Sequence, residues 1–282
     1  MFAFWTEPLR APARISVGFV STPSLAERRE RQLAHERDRA AHLAQRAEIS
    51  RTRRTTPELR VIALEAEDRF ADGDTDTLLS WVAEEFGDLT AVACSMADAV
   101  LPHVVARHIP WVDTLFLETG YHFAETVGTR DAVESSMQLT IVDVQPRQSV
   151  AEQDAQYGER LFERDPALCC QLRKVEPLTE TLGGYEAWIT GVRRDDSPLR
   201  ADTPFVTWDE KNGLVKINPL ADWTFDRVLD YAAEHDVILN PLLNDGYPSI
   251  GCAPCTRRVA PGEDPRAGRW AGLDKSECGL HT

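Results

Sequence analysis

The sequence predicts an α/β fold: a mostly parallel sheet with flanking helices, followed by an irregular, cysteine-bearing C-terminal segment. Three observations carry that expectation. Short apolar runs alternate with stretches of helical spacing between residues 57 and 190, the order that builds a parallel sheet covered on both faces. Asn212-Gly213 then separates two further apolar runs, a hairpin signal. Beyond Asn240 the chain turns Pro- and Gly-rich without periodicity, yet holds three of the six cysteines. A long irregular tail with that much reactive chemistry points to function.

The elements follow in order. Residues 1–56 form an Arg-rich extension. Its stretch 24–49, with only Leu25, Leu33 and Leu43 as apolar marks, reads as a solvated or partly disordered helix. The globular domain is expected over 57–282, including a mobile tail from about 262. A helix is expected over 58–70 and another over 75–86, where Leu78, Leu79, Val82 and Phe86 share a face and Gly87 is the stop. Strand 89–94 leads through Ser95-Met96-Ala97 into a helix over 98–106. Further strands are expected at 114–117, 139–144 and 187–190, with a helix after Gly120. The hairpin pairs 205–208 with 214–217, and a helix covers 224–234. Parallel sheets bind ligands at the carboxyl ends of their strands. That rule selects Ser95, Glu118-Thr119-Gly120 and Gly191-Val192-Arg193.

Composition narrows the function classes. The chain of 282 residues is 43% apolar and has no apolar run of membrane-spanning length. Its opening, Met1-Phe2-Ala3-Phe4-Trp5, is broken by Glu7 and Arg10, so no secretory signal and a cytoplasmic location are expected. In a reducing cytoplasm six cysteines suit metal ligation or thiol chemistry better than a disulfide framework. A formal net charge of −15 argues against nucleic acid and acidic membranes as partners. A small anion remains compatible, provided Arg and Lys gather locally. Oligomeric state is not fixed by the sequence.

The cysteines carry the chemistry. Cys169-Cys170 are adjacent and Cys252-Ala253-Pro254-Cys255 is a C-x-x-C. Three readings stand: a 4Fe–4S cluster on four thiolates, a zinc site, or a thiol–disulfide switch. Adjacent cysteines are awkward for one tetrahedral ion but can each take a separate iron of a cubane. Cys278, four residues from the end of the sequence, reads as a stray tail thiol or as a nucleophile on a swinging segment. Cys94 reads as a small buried thiol. Cations gather at Arg193-Arg194, Arg200, Arg266 and Arg269, and Arg suits bidentate anion recognition.

Several segments resemble one family. Cys169-Cys170-Gln171-Leu172-Arg173-Lys174-Val175-Glu176-Pro177-Leu178 is similar to the cysteine-doublet motif of the bacterial assimilatory adenylylsulfate reductases. Gly246 to Thr256 resembles their second cysteine motif, and Glu277-Cys278-Gly279-Leu280-His281 their catalytic tail. Three motifs in the family's order cover the chain from about residue 57 onward. The resemblance implies an adenine-nucleotide α-hydrolase-like (Rossmann-like) fold and a 4Fe–4S cluster on Cys169, Cys170, Cys252 and Cys255. It implies attack by Cys278 on adenosine 5′-phosphosulfate, an S-sulfonate intermediate, and thioredoxin or a similar dithiol donor, within sulfate assimilation and cysteine biosynthesis.

It also implies phosphosulfate contacts from Lys174, Arg193, Arg194, Arg200, Arg266 and Arg269, with Ser95, Asp98, Thr119 and Gly120 at the nucleotide. The chain departs from the family's pattern where Val192 replaces a usual Gln, Glu118 a usual Asp, and the loop 94–98 lacks a frequent Gly. His122 is expected to be structural, since the reaction needs no histidine base. Alternatives are the 3′-phosphorylated substrate, an ATP-pyrophosphatase-type thiolation enzyme, and a zinc or redox-sensing module. Family members with both cysteine pairs generally take the substrate lacking the 3′-phosphate.

Overall fold

A computed structural model describes residues 25–48, 53–272, 275 and 277–280. The expectations placed on residues 1–24 and 49–52, and on His281, lie outside the described residues.

Six strands make one sheet: β1 Thr90–Ala93, β2 Val112–Leu117, β3 Leu139–Val144, β4 Ala187–Thr190, β5 Val206–Asp209 and β6 Leu214–Ile217. Their order is β3-β2-β1-β4-β6-β5, and every neighbouring pair is parallel except the β5–β6 hairpin. Successive strand residues face opposite sides. Val92, Ile189 and Val215 therefore join a core with Leu59, Leu78, Val82 and Val104, while Ala91, Trp188 and Leu214 join a second core with Leu178 and Leu182. Both faces are covered, which is why these strands are short continuous apolar runs.

The helices of the first core form where caps and apolar spacing coincide. They are α2 Thr56–Arg69, α3 Thr75–Glu85 and α4 Val100–Ala106, with α1 Leu25–Glu48 ahead of them. Thr55 and Glu58 make a capping box for α2, and Asp74 caps α3. Helix α4 starts two residues later than expected because the Asp98 carboxylate accepts the Val100 N–H at 2.9 Å and Asp98 bridges to Leu239. α1 lies against α5 Ala124–Ser136: His35 is 3.0 Å from the Glu134 carbonyl and its ring is 4.8 Å from Trp111.

Between β3 and β4 the structure holds helices that periodicity did not reveal. They are α6 Val150–Tyr157, α7 Leu161–Arg164, α8 Pro166–Cys170, a π-helical turn Gln171–Val175, and α9 Glu176–Leu182. α6 and α7 are short, while α8, the π-turn and α9 run on as one stretch whose helical repeat the π-turn interrupts. The helix α10 Phe225–Glu234 matches its expected span within a residue.

The strand order reverses at β1: β2 and β3 lie to one side, β4, β6 and β5 to the other. A crevice therefore opens at the carboxyl ends of β1 and β4.

One half-buried ion pair ties the chain before α2 to this sheet. The Arg54 N–H, Nε and Nη2 donate to the Glu186 carboxylate at 2.5, 2.9 and 2.7 Å, and Arg54 also holds Glu85. Glu186 is 1% exposed and immediately precedes β4. Arg54→Ala leaves that carboxylate buried without its cation and is expected to lower stability by about 2–3 kcal/mol. Urea unfolding should show a lower midpoint with an unchanged slope.

Candidate functional site

The crevice widens into a cavity of about 350 Å³, within the size range of small-ligand sites. The β1 loop supplies Ser95 and Asp98, the end of β2 supplies Thr119, and the segment after β4 supplies Val192 and Arg193. The loop is tight: Met96 has φ +58° and is fully buried. Burial, with Asp98 nearby, pushes the Cys94 thiol up to about 12, which disfavours its thiolate. Burial likewise raises the Asp98 carboxyl against the Val100 N–H that stabilises its anion.

At the end of β2, Glu118 accepts the Gly120 N–H at 2.7 Å, and the Thr119 carbonyl accepts from Arg173 Nε. Gly120 has φ +73°, and a Cβ there would stand 2.8 Å from Val150, so only glycine fits. It faces α6 and Arg173, away from the cavity. His122 stacks on Phe116 with Nε2 2.9 Å from the Leu117 carbonyl, and burial lowers its pKa. His122 also lines the cavity.

The four paired cysteines come from two distant segments. Cys169 and Cys170 end α8, and the π-turn that follows carries Arg173 and Lys174. Such turns widen a helix locally and often mark functional sites. Arg173, 4% exposed, anchors the turn through Thr119, Gln148 and Gln153. Cys252 and Cys255 bracket a 3₁₀ turn, with the Cys255 N–H donating to the Cys252 carbonyl at 2.9 Å and the Ala253 N–H to the Tyr121 carbonyl at 2.7 Å. All four thiols line one pocket with Thr119, Tyr121, Lys174 and Trp270. All six cysteines are free. Among the described residues, no three His, Cys, Asp or Glu side chains are placed to hold a single metal ion.

Burial, reinforced by its cysteine neighbours, pushes Cys169 up to about 12 and Cys255 up to about 11. Cys252 moves the other way: burial opposes its thiolate, but Lys174 beside it and the Thr119 hydroxyl lower its pKa. Burial opposes the Lys174 ammonium in turn, yet Cys252 and Cys278 raise its pKa well above the ordinary value. Lys174 thus stands between the cysteine pocket and the tail thiol.

Cys278 and Glu277 line the main cavity together with Arg193, Arg200, Arg266 and Arg269. Arg269 donates to the Ser249 hydroxyl and the Ile250 carbonyl at 3.3 Å and lies over the Trp270 ring. Burial, then Arg266, lowers its pKa. Arg200 and Arg193 both hold Asp196, at 2.8 and 2.7 Å.

Of the residues singled out in the sequence, Ser95, Asp98, Thr119, Lys174, Arg193, Arg200, Arg266, Arg269 and Cys278 are brought to this cavity. Arg194 and Gly120 are not. Arg194 donates to the Thr203 carbonyl at 2.9 Å and lies over Phe205, because the 3₁₀ turn Arg194–Asp196 sends successive side chains in different directions. Sequence reading gave no role to Glu277, Asp196, Trp188 or Trp270. An acidic pair directly after Arg193-Arg194 was the available signal for Asp196, whereas Glu277 has no arginine near it in the sequence.

A family model described as the phosphoadenosine phosphosulfate reductase domain matches residues 89–258. The adenosine 5′-phosphosulfate reductase of Streptomyces coelicolor is 58% identical over 228 residues, covering 81% of this chain and 97% of that protein. That of Mycolicibacterium smegmatis is 54% identical over 231 residues, covering 82% and 98%. A crystal structure of phosphoadenylyl-sulfate (PAPS) reductase from Candida auris, a phosphate complex, superposes with a TM-score of 0.57 at 26% identity, covering 73% of this chain and 97% of that one.

The basic segment depends on one close approach. Thr256 and Arg269 form an antiparallel bridge, and the Arg257 N–H donates to the Gly268 carbonyl at 2.9 Å. A Cβ at Gly268 would stand 2.3 Å from the Arg257 carbonyl oxygen. Gly268→Ala is expected to open this bridge at a local cost of about 1–3 kcal/mol. Amide exchange should accelerate at Arg257 and Trp270 and stay unchanged in β1 and β4.

Proposed function

The chain belongs to the phosphoadenosine phosphosulfate reductase family, and from that premise we propose that it reduces adenosine 5′-phosphosulfate to sulfite and AMP, with Cys278 as the nucleophile. It is an oxidoreductase acting on a sulfur group, in sulfate assimilation. The observation that carries the residue-level reading is that the tail thiol and the cation set Lys174, Arg193, Arg200, Arg266 and Arg269 line one cavity.

In this reading the Cys278 thiolate attacks the sulfur of the phosphosulfate. The sulfur–oxygen bond breaks and its electron pair leaves with AMP, so Cys278 becomes an S-sulfonate. A thiolate of thioredoxin or a similar dithiol donor then attacks the Cys278 sulfur, and sulfite leaves with the electron pair of the broken sulfur–sulfur bond. The donor's second thiol resolves the mixed disulfide and returns Cys278 as a thiolate. The donor supplies both electrons and ends as a disulfide, which suits a reducing cytoplasm.

The guanidinium groups neutralise the phosphosulfate and the charge that builds on the leaving phosphate oxygen. Ser95, Asp98 and Thr119 stand at the strand ends where such folds hold a nucleotide. Val192, 5% exposed, leaves an apolar wall there.

Cys169, Cys170, Cys252 and Cys255 would hold a 4Fe–4S cluster. The donor set fits: four free thiols from two segments line a single pocket, and an adjacent pair suits separate iron atoms. When bound, the cluster would supply a fixed charge beside Lys174, since the dithiol donor already balances the reaction's electrons. Lys174 would orient its ammonium between that pocket and the Cys278 sulfur.

Cys278→Ser is expected to reduce sulfite release by at least about 10³-fold while iron content stays that of the wild type. Cys170→Ser should lose both iron and activity. Mass spectrometry of wild type mixed with substrate, without donor, should find a sulfonate on residue 278. Full activity in Cys278→Ser would refute the mechanism. Faster sulfite release from the 3′-phosphorylated nucleotide would reassign the substrate.

A further inference from the structure

The acidic residue next to the nucleophile holds two of the cavity's four arginines. Arg200 Nη2 donates to Glu277 Oε2 at 2.8 Å and Arg200 Nε to Oε1 at 3.1 Å, a bidentate pair. Arg266 Nη2 stands 3.3 Å from the same Oε1. The three side chains are 14, 16 and 18% exposed, so solvent screens them far less than a surface pair. Arg200 also holds Asp196, so the clamp is tied to the segment just after β4.

The chain after the thiol is held separately. Lys211 Nζ donates to the Gly279 carbonyl at 3.1 Å, and Leu280 packs on the core around Leu178 and Trp188. Cys278 is therefore fixed from both sides, by an ion pair before it and by backbone and apolar contacts after it. Only the first of these uses groups that a bound anion also needs.

We infer that Glu277 is a positioning residue for Cys278, whose carboxylate shares Arg200 and Arg266 with the anionic part of the substrate. The inference rests on the reading of this cavity as the phosphosulfate site. The Arg200 fork that grips Glu277 presents two N–H groups to one oxyanion at a time. An entering sulfate or phosphate group loosens the tail, and departure of the product lets the carboxylate take the arginines back. Tail docking and anion binding are thus coupled with opposite sign, and the coupling is reciprocal.

Glu277→Gln keeps the shape and removes the charge. Two readouts test it in the full, iron-loaded chain. The first is alkylation of residue 278 by iodoacetamide, followed by mass spectrometry, with inorganic sulfate against chloride at matched ionic strength. Sulfate should speed alkylation several-fold in the wild type. Glu277→Gln should alkylate about tenfold faster without sulfate and respond little to it. Glu277→Asp should retain the sulfate response. The second is steady-state kinetics with adenosine 5′-phosphosulfate, where Glu277→Gln should lower KM, because the anion no longer has to take the arginines from a carboxylate.

Wild-type alkylation rates in Glu277→Gln, or an unchanged or raised KM, overturn the inference. A wild-type chain that shows the sulfate-dependent alkylation but releases no sulfite keeps the clamp and refutes the proposed activity instead.

Discussion

The site is organised around one lysine that faces both of its halves. Burying a lysine charge is strongly unfavourable unless anions or thiolates face it. Lys174, half-buried, lines both the cysteine pocket and the cavity, so sulfurs from different parts of the chain, Cys252 and Cys278, lie on its two sides. The arrangement makes the three positions interdependent. The π-turn that carries Lys174 begins directly after the Cys169-Cys170 pair, so the residues that line the pocket and the residue that leaves it toward the cavity share one short, anchored piece of backbone. Arg173 fixes that piece to the end of β2 through the Thr119 carbonyl, and the Thr119 hydroxyl in turn accepts from Cys252 at 3.4 Å. Strand end, cysteine pocket and lysine are therefore tied to one another.

The sheet supplies the frame because its strand order turns over at β1. That reversal leaves a gap between the loops after β1 and β4, and the C-terminal segment fills its rim with Arg266, Arg269 and Trp270. The rim has little regular structure to hold it. It is kept in place by close backbone approaches instead: Gly268 against the Arg257 carbonyl, Trp270 N–H on the Cys255 carbonyl at 3.0 Å, and Arg269 packed where a side chain on Gly251 would stand. A Cβ at Gly251 would lie 2.3 Å from the Arg269 guanidinium. Glycine there is a condition for placing that cation beside the cysteine pocket.

Much of this was legible in the sequence, and what was missed has physical causes. The strands stood out because both faces of a parallel sheet are buried, which writes them as short apolar runs such as Ala91-Val92 and Trp188-Ile189. The Asn212-Gly213 hairpin was marked by its turn residues, and Gly213 does take φ +67°. The helices between 150 and 182 escaped because α6 and α7 are only about two turns or fewer, and because the π-turn interrupts the 3.6-residue repeat of the continuous stretch 166–182. Their caps were visible all the same, Ser149 with Glu152 and Asp165 before Pro166. Arginines were readable as a group but not one by one. Adjacent Arg193 and Arg194 diverge, one into the cavity and one over Phe205, and which turn follows β4 decides the matter rather than residue type. The tail was legible as a thiol beside a glycine, while Glu277 was passed over because its partners, Arg200 and Arg266, lie far from it in sequence.

The last of these explains how a chain with net charge −15 keeps a cationic cavity. Guanidinium groups crowded into a partly desolvated space repel one another, and burial already depresses Arg269 with Arg266 adding to the effect. Internal carboxylates offset part of that repulsion. Asp196 joins Arg193 to Arg200, and Glu277 joins Arg200 to Arg266, so cation and anion alternate along the wall. Asp196 sits in a turn directly after a central strand, whereas Glu277 sits on the tail. The wall thus carries one carboxylate held by the sheet framework and one that can be exchanged, and the exchangeable one adjoins the thiol. A local surplus of arginine in an acidic protein is stable on these terms only while something anionic completes the row.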